Sequence, residues 1–201
     1  MKIICIGRNY AEHAKEMNSE LPTEPVFFMK PDTSILKDGN DFYYPEFTKD
    51  LHHECELVIK IAKNGKNIAE KFAHKYYSSM SLGIDFTARD LQAECKAKGL
   101  PWEKAKSFEH SAPISTEWVT VSNLNDSKFL LTKNGELVQK GSVKDMIFNI
   151  NQIISYVSRF MTLKTGDLIY TGTPSGVGPV VIGDKLEGFL NNQKMFEFDI
   201  K

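Results

Sequence analysis

Three carboxylates and one histidine–glutamate pair carry the chemistry this sequence can offer. In the run Leu51-His52-His53-Glu54-Cys55-Glu56-Leu57-Val58-Ile59-Lys60-Ile61, polar–apolar alternation passes into Val58, Ile59 and Ile61 and predicts a β-strand. Residues two apart on a strand face the same side, so Glu54 and Glu56 project together. Two carboxylates about 4 Å apart repel by roughly 4 kcal/mol at an effective dielectric of about 20. Such a pair keeps a proton on one member or holds a cation, and oxygen-only ligands select a hard ion, Mg²⁺, Mn²⁺ or Ca²⁺. Taken alone, an E-x-E pair more often marks a solvated strand face. Asp85, just past a predicted strand at 80–84, is either a helix cap or a third carboxylate for the same ion. His52 and His53 are further ligand candidates, of which at most one shares the glutamate face.

His13 and Glu16 lie three apart in a helical stretch, 8–17, and share its face. A carboxylate beside an imidazole orients it and raises its basicity, which makes a general-base dyad; a surface salt-bridged histidine has the same spacing. Lys30, at a strand end before Pro31, is a positioned cation or a rim charge. The loop 171–179, Thr-Gly-Thr-Pro-Ser-Gly-Val-Gly-Pro, lacks the Gly-Lys-Ser/Thr ending of a phosphate loop and the following helix of a dinucleotide site. Its glycines instead let backbone approach a small ligand closely.

These residues need a scaffold, and the composition supplies one. The chain has 201 residues, 41% of them hydrophobic, with a formal charge of -1. That suits one compact domain spanning 1–201 and gives no electrostatic reason for a nucleic acid or a membrane as partner. Three widely spaced cysteines form no CxxC pair and read as reduced thiols, and the first apolar run is too short for a signal peptide. A cytoplasmic location is therefore expected.

Strands are predicted at 2–6, 26–29, 51–61, 80–84, 168–170, 185–189 and 194–200, with a hairpin, 128–131 and 137–139, around Asn134-Gly135. A turn is expected at 37–40. Helices are predicted at 8–17, at 67–77 with Ile68, Phe72 and Tyr76 on one side, and at 88–98. Asp85 or Thr87 would cap that last helix, and Gly99 would end it. Ser142-Val143-Lys144-Asp145 fits a capping box opening a helix with Met146, Ile147, Ile150, Ile153, Ile154, Val157 and Phe160 on one stripe. The sum is a strand-dominated α+β fold.

Several phrases in order resemble one family. They are Gly7-Arg8-Asn9-Tyr10 with His13 and Glu16, Phe28-Met29-Lys30-Pro31, His53-Glu54-Cys55-Glu56-Leu57 and Asp85-Phe86-Thr87-Ala88-Arg89-Asp90-Leu91-Gln92. Lys106-Ser107-Phe108, Met146-Ile147-Phe148 and Thr171 to Gly178 complete the series. Together they resemble the fumarylacetoacetate hydrolase family, in its small single-domain branch near acylpyruvases and oxaloacetate decarboxylases. The resemblance implies a mixed β-roll with flanking helices, usually a homodimer, with a short helical lid inside residues 1–25. It implies Mg²⁺ or Mn²⁺ on Glu54, Glu56 and Asp85, and a catalytic set of His13, Glu16 and Lys106. Arg8, Lys30, Arg89, Gln92 and Thr173 would contact a small 2-oxo acid. The reaction implied is hydrolysis of the carbon–carbon bond of an acylpyruvate, through an enolate whose charge the ion stabilises. Oxaloacetate decarboxylation, its keto–enol tautomerisation and isomerisation of a hydroxymuconate-type diacid are alternatives that the same site supports. A non-catalytic domain binding a metal and a dicarboxylate is a further alternative, but it has no need of His13, Glu16 and Lys106 together.

Overall fold

A computed structural model describes residues 1–17, 19–37, 40–121 and 124–201. The turn expected at 37–40 has its centre outside the described residues. Among those described, strands prevail. The largest sheet runs in the order Val26–Lys30, Ile3–Gly7, Leu168–Tyr170, Cys55–Ile61, Tyr77–Ile84, Ala112–Ile114 and Ile35–Lys37, with Val119–Thr120 paired to Tyr77–Ile84. Ile3–Gly7 lies parallel to Leu168–Tyr170, and Ile35–Lys37 lies parallel to Ala112–Ile114, while its other pairs are antiparallel, so the sheet is mixed. A four-stranded antiparallel sheet, Glu136–Ser142, Lys128–Lys133, Lys185–Leu190 and Gln193–Asp199, packs against it.

The strand Cys55–Ile61 shows why its sequence reads as a nearly continuous apolar run. Leu57, Ile59 and Ile61 point into the main core with Leu82, Phe129, Leu131, Ile153 and Leu186. Val58 points the other way, into a smaller cluster with Ile3, Cys5 and Tyr170. Both faces are buried, so alternation of polarity fades where burial is complete. Glu56 shares the face of Val58, and this second face supports the functional site.

Four local readings need correction. The predicted single strand 51–61 is two strands, Leu51–His53 and Cys55–Ile61, which belong to different sheets. The chain changes sheets at Glu54, so this carboxylate sits at a junction. The helix expected at 67–77 shrinks to Glu70–Ala73. Asn67 takes a left-handed φ of 52°, and the Ile68 amide donates to Ser158 Oγ, so tertiary bonds hold this backbone away from helix. Helix Arg89–Lys98 ends, as expected, on left-handed Gly99, but neither Asp85 nor Thr87 caps its start.

The fourth correction concerns the longest helix. Ser142 caps only a 3₁₀ turn, Val143–Asp145, and Met146 and Ile147 lie outside the helix. The α-helix is Ile150–Phe160, opened by a true capping box in which Asn149 and Gln152 exchange side-chain and backbone bonds. Its buried stripe is Ile150, Ile153, Ile154 and Val157, while Phe160 is exposed. Asn149→Ala is expected to destabilise the protein by about 1 kcal/mol. Ser142→Ala, which removes one 3.3 Å bond to a single turn, should have a smaller effect. Urea unfolding of the two variants side by side checks the ranking.

Candidate functional site

Glu54, Glu56 and Asp85 converge, each offering a carboxylate oxygen within 4.8 Å of the others, and all three are buried. Their backbones are tied as well, because the Asp85 amide donates to the Glu54 carbonyl at 2.8 Å. Glu54 comes from the sheet junction, Glu56 from the central strand and Asp85 from the end of Tyr77–Ile84.

Cations compensate two of the three. Lys106 Nζ donates to Glu54 Oε2 and Asp85 Oδ2, both at 2.8 Å, and Arg89 donates to Glu54 Oε1 at 2.5 Å. Burial by itself pushes the Glu54 carboxyl up, but Lys106, Arg89 and His13 together hold it well below the usual range. Burial likewise opposes charge on Lys106, and Asp85 and Glu54 overcome it and raise that ammonium. Glu56 is different. Burial, then Asp85 and Glu54, push it well above the usual carboxylate range, against one hydrogen bond from the Gly172 amide at 2.8 Å.

The residues present fit a divalent ion. Lys30 Nζ lies 2.8 Å from Asp85 Oδ1, but its donors are directed at the carbonyls of Phe86, Lys106 and Ser111. Asp85 Oδ1 is thus a buried acceptor with no hydrogen bond. A buried carboxylate oxygen without a hydrogen bond, a carboxyl whose pKa is raised by burial and by its acidic neighbours, and an all-oxygen donor set are what a hard dication would satisfy.

His13 and Glu16 lie on helix Ala11–Glu16, with His13 Nδ1 3.1 Å from Glu16 Oε2. That contact assigns the proton to Nδ1 and leaves Nε2 basic. His13 lines the same cleft as the three carboxylates, together with Arg8, Arg89, Gln92, Lys106 and Thr173. Glu16 is held from behind by the Gly176 amide at 3.0 Å. The glycine-rich loop therefore grips both halves of the site, Glu56 through Gly172 and Glu16 through Gly176. Both glycines have positive φ, 101° and 93°, and a Cβ on Gly176 would fall 2.1 Å from the Val138 carbonyl oxygen. No other residue fits there.

Two expected substrate contacts sit differently. Lys30 has a side chain closed off from solvent and stands against Asp85 Oδ1, and it is not among the residues that line the cleft. Thr173 is in the wall, but its hydroxyl already donates to the Cys55 carbonyl and accepts from Gln139 Nε2. Gln92 accepts from Arg89 through Oε1, which leaves its Nε2 to donate. His52 and His53 stand outside the carboxylate cluster and bond Asp50 and Gln139.

Sequence reasoning missed Gln139 and Asn9. Buried Gln139 bonds His53, the Cys55 amide, Thr173 and the Pro174 carbonyl, joining the second sheet to the site. Asn9 bonds Phe148 in both directions and the Thr171 carbonyl, and so fixes the segment leading into the His13 helix. No local spacing announces either residue. Phe28, Lys96 and Trp102, which also line the cleft, were likewise unread.

The raised Glu56 carboxyl has a measurable consequence. A group whose pKa is raised on folding contributes stability while protonated and loses it as pH rises through the folded value. The ion-free protein should lose stability as pH rises through that value, and Glu56→Gln should remove this dependence and raise Tm by about 2–4 °C per kcal/mol of repulsion relieved. Mn²⁺ should stabilise the wild type increasingly as pH rises, since it displaces the Glu56 proton, and should not stabilise Glu56→Gln. Thermal unfolding across pH, with and without Mn²⁺, checks both.

Comparison with known proteins identifies the family. The profile of the fumarylacetoacetate (FAA) hydrolase C-terminal family matches residues 2–201. The chain is 45% identical over 202 residues to the bovine (Bos taurus) protein named oxaloacetate tautomerase FAHD1, mitochondrial, covering 99% of this chain and 91% of that one. It is 43% identical to the mitochondrial oxaloacetate decarboxylase of Dictyostelium discoideum, covering 99% and 93%. A fumarylpyruvate hydrolase from Pseudomonas aeruginosa, solved with Mn²⁺ and pyruvate, superposes with a TM-score of 0.93 at 35% identity, covering 100% of this chain and 89% of that one. Among the described residues no helix is long and apolar enough to cross a membrane. With its full length matched and an acidic cluster able to hold a metal, the chain belongs to the fumarylacetoacetate hydrolase family of enzymes.

Proposed function

We propose that the chain is a divalent-ion-dependent enzyme for small 2-oxo acids, with keto–enol tautomerisation of oxaloacetate as its leading reaction. The observation that carries this reading is a His–Glu dyad facing the same cleft as three clustered carboxylates. Glu54, Glu56 and Asp85 would hold Mg²⁺ or Mn²⁺, which when bound supplies Lewis-acid polarisation of the oxo and carboxylate oxygens of a chelating substrate.

The chain's own residues do the rest. Nε2 of His13 takes the proton from the carbon beside the oxo group, the carbon–hydrogen electrons become the new double bond, and the oxo oxygen gains the charge. His13, as imidazolium held by Glu16, then returns the proton to that oxygen. Gln92 Nε2 and Lys106 face the developing charge. Helix Ala11–Glu16 serves as the lid, and the whole chain works as one catalytic unit.

A second reading is hydrolysis of acylpyruvates, and the dyad favours it too. There Nε2 removes a proton from water, whose oxygen attacks the distal carbonyl; the bond from that carbon to C3 then breaks, its electrons leave with the pyruvate enolate, and the imidazolium returns the proton to C3. The 35% identical Pseudomonas fumarylpyruvate hydrolase supports this alternative. Cytoplasmic residence, suggested by three buried free thiols, and a homodimer, suggested by family membership, complete the proposal. Cell fractionation and gel filtration test these two.

His13→Ala should slow tautomerisation and acylpyruvate hydrolysis by about 10²–10⁴. Decarboxylation of oxaloacetate, which needs no proton removed from carbon, should largely survive. Enol absorbance and pyruvate release, followed with Mg²⁺ in one substrate panel, separate the outcomes; an undiminished tautomerisation rate in the variant would sink the proposal.

A further inference from the structure

The ion pairs of the cleft leave two cations over. Lys106 is shared by Glu54 and Asp85, Lys30 stands against Asp85, and Arg89 is bonded to Glu54 and Gln92. Arg8 and Lys96 line the same cleft, yet among the described residues neither has an ion-pair partner or a side-chain hydrogen bond. Arg89 adds a buried Nε that also lacks a partner.

Their placement is built into the fold. Arg89, Gln92 and Lys96 are spaced three and four apart on one helix and so share a face. Arg89 touches the ion ligand Glu54, and Lys96 lies about 10 Å further along the helix axis. Lys96 Nζ sits 5.6 Å from the Trp102 ring centroid, at the cleft wall. Arg8 enters from a different segment and is held in a left-handed conformation, φ 57°, next to the firmly bonded Asn9. Both side chains line the one cleft, and burial first, then Arg89 and Arg8, push the Lys96 ammonium down. A chain of net charge -1 thus gathers excess positive charge around one cleft, and a bound dication would increase it.

We propose that Arg8 and Lys96 bind the distal carboxylate of a dicarboxylic 2-oxo acid and make the site select charged-tail over neutral-tail substrates. This rests on the reading that the oxo-acid end of the substrate meets an ion held by Glu54, Glu56 and Asp85. The cations paired at that end already have protein carboxylates; Arg8 and Lys96, which line the same cleft, do not. A monoacid leaves them uncompensated, whereas a diacid supplies their counter-charge.

The test is calorimetric binding to the full-length, Mg²⁺-loaded protein of oxaloacetate and 2-oxobutyrate, which have equal chain length and differ in the tail carboxylate. Oxalate serves as the control for the ion end in the wild type, and circular dichroism verifies folding of each variant. The wild type should prefer the diacid, and Arg8→Met and Lys96→Met should each reduce the preference about tenfold. Lys96→Glu should reduce it further. A preference unmoved by these substitutions, or equal binding of both acids by the wild type while oxalate still binds, overturns the assignment alone. Failure of the wild type to bind oxalate or either 2-oxo acid overturns the underlying functional reading and the assignment together.

Discussion

Buried like charge is the constraint on which the rest of this structure depends. Glu54, Glu56 and Asp85 lie in the protein interior within reach of one another, with Lys106, Arg89 and Lys30 set against two of them. Breaking a buried pair by removing one partner leaves an uncompensated charge, at a cost of about 3–5 kcal/mol. The cluster is therefore a structural commitment as well as a candidate metal centre. Its charged members come from four stretches of chain, which meet only in the folded structure. Glu56, the one carboxylate without a cation of its own, is where that commitment is incomplete.

The glycine-rich loop links this electrostatic problem to the acid–base side of the cleft. One amide holds Glu56 and another, four residues on, holds Glu16. Gln139 and Asn9 fix the loop from two directions, the first from the second sheet and the second from the segment before the His13 helix. Carboxylate cluster and dyad are consequently held to a common reference. The loop has no phosphate-binding geometry to provide; it supplies amides where side chains need orienting.

Much of the site was legible because its residues stand in short phrases whose chemistry is local. The E-x-E spacing, the three-residue step from His13 to Glu16, and Asp85 at a strand end each say which groups can share a side. The errors share a cause. A single strand through Glu54 satisfies alternation, but the chain switches sheets there because Leu51–His53 finds its partners in Thr87–Ala88 and Gly178–Pro179. Ser142 has the right sequence for a cap, yet Asn149 is the residue that caps, since the segment between them is pinned to Asn9. Lys30, expected to contact substrate, lies paired with Asp85, a placement that depends on what lies across from a side chain.

By itself, then, the sequence determined the strand-dominated α+β class, the family and the types of group available for chemistry, because periodicity and short motifs are properties of neighbours along the chain. The tertiary structure alone decided which carboxylate lacks a cation, which cations lack a carboxylate, and which glycine amides hold the two glutamates. Those are questions of charge and hydrogen bonding between segments up to 160 residues apart. Repulsion, desolvation and hydrogen bonding act through space, and only the folded chain sets the distances over which they act.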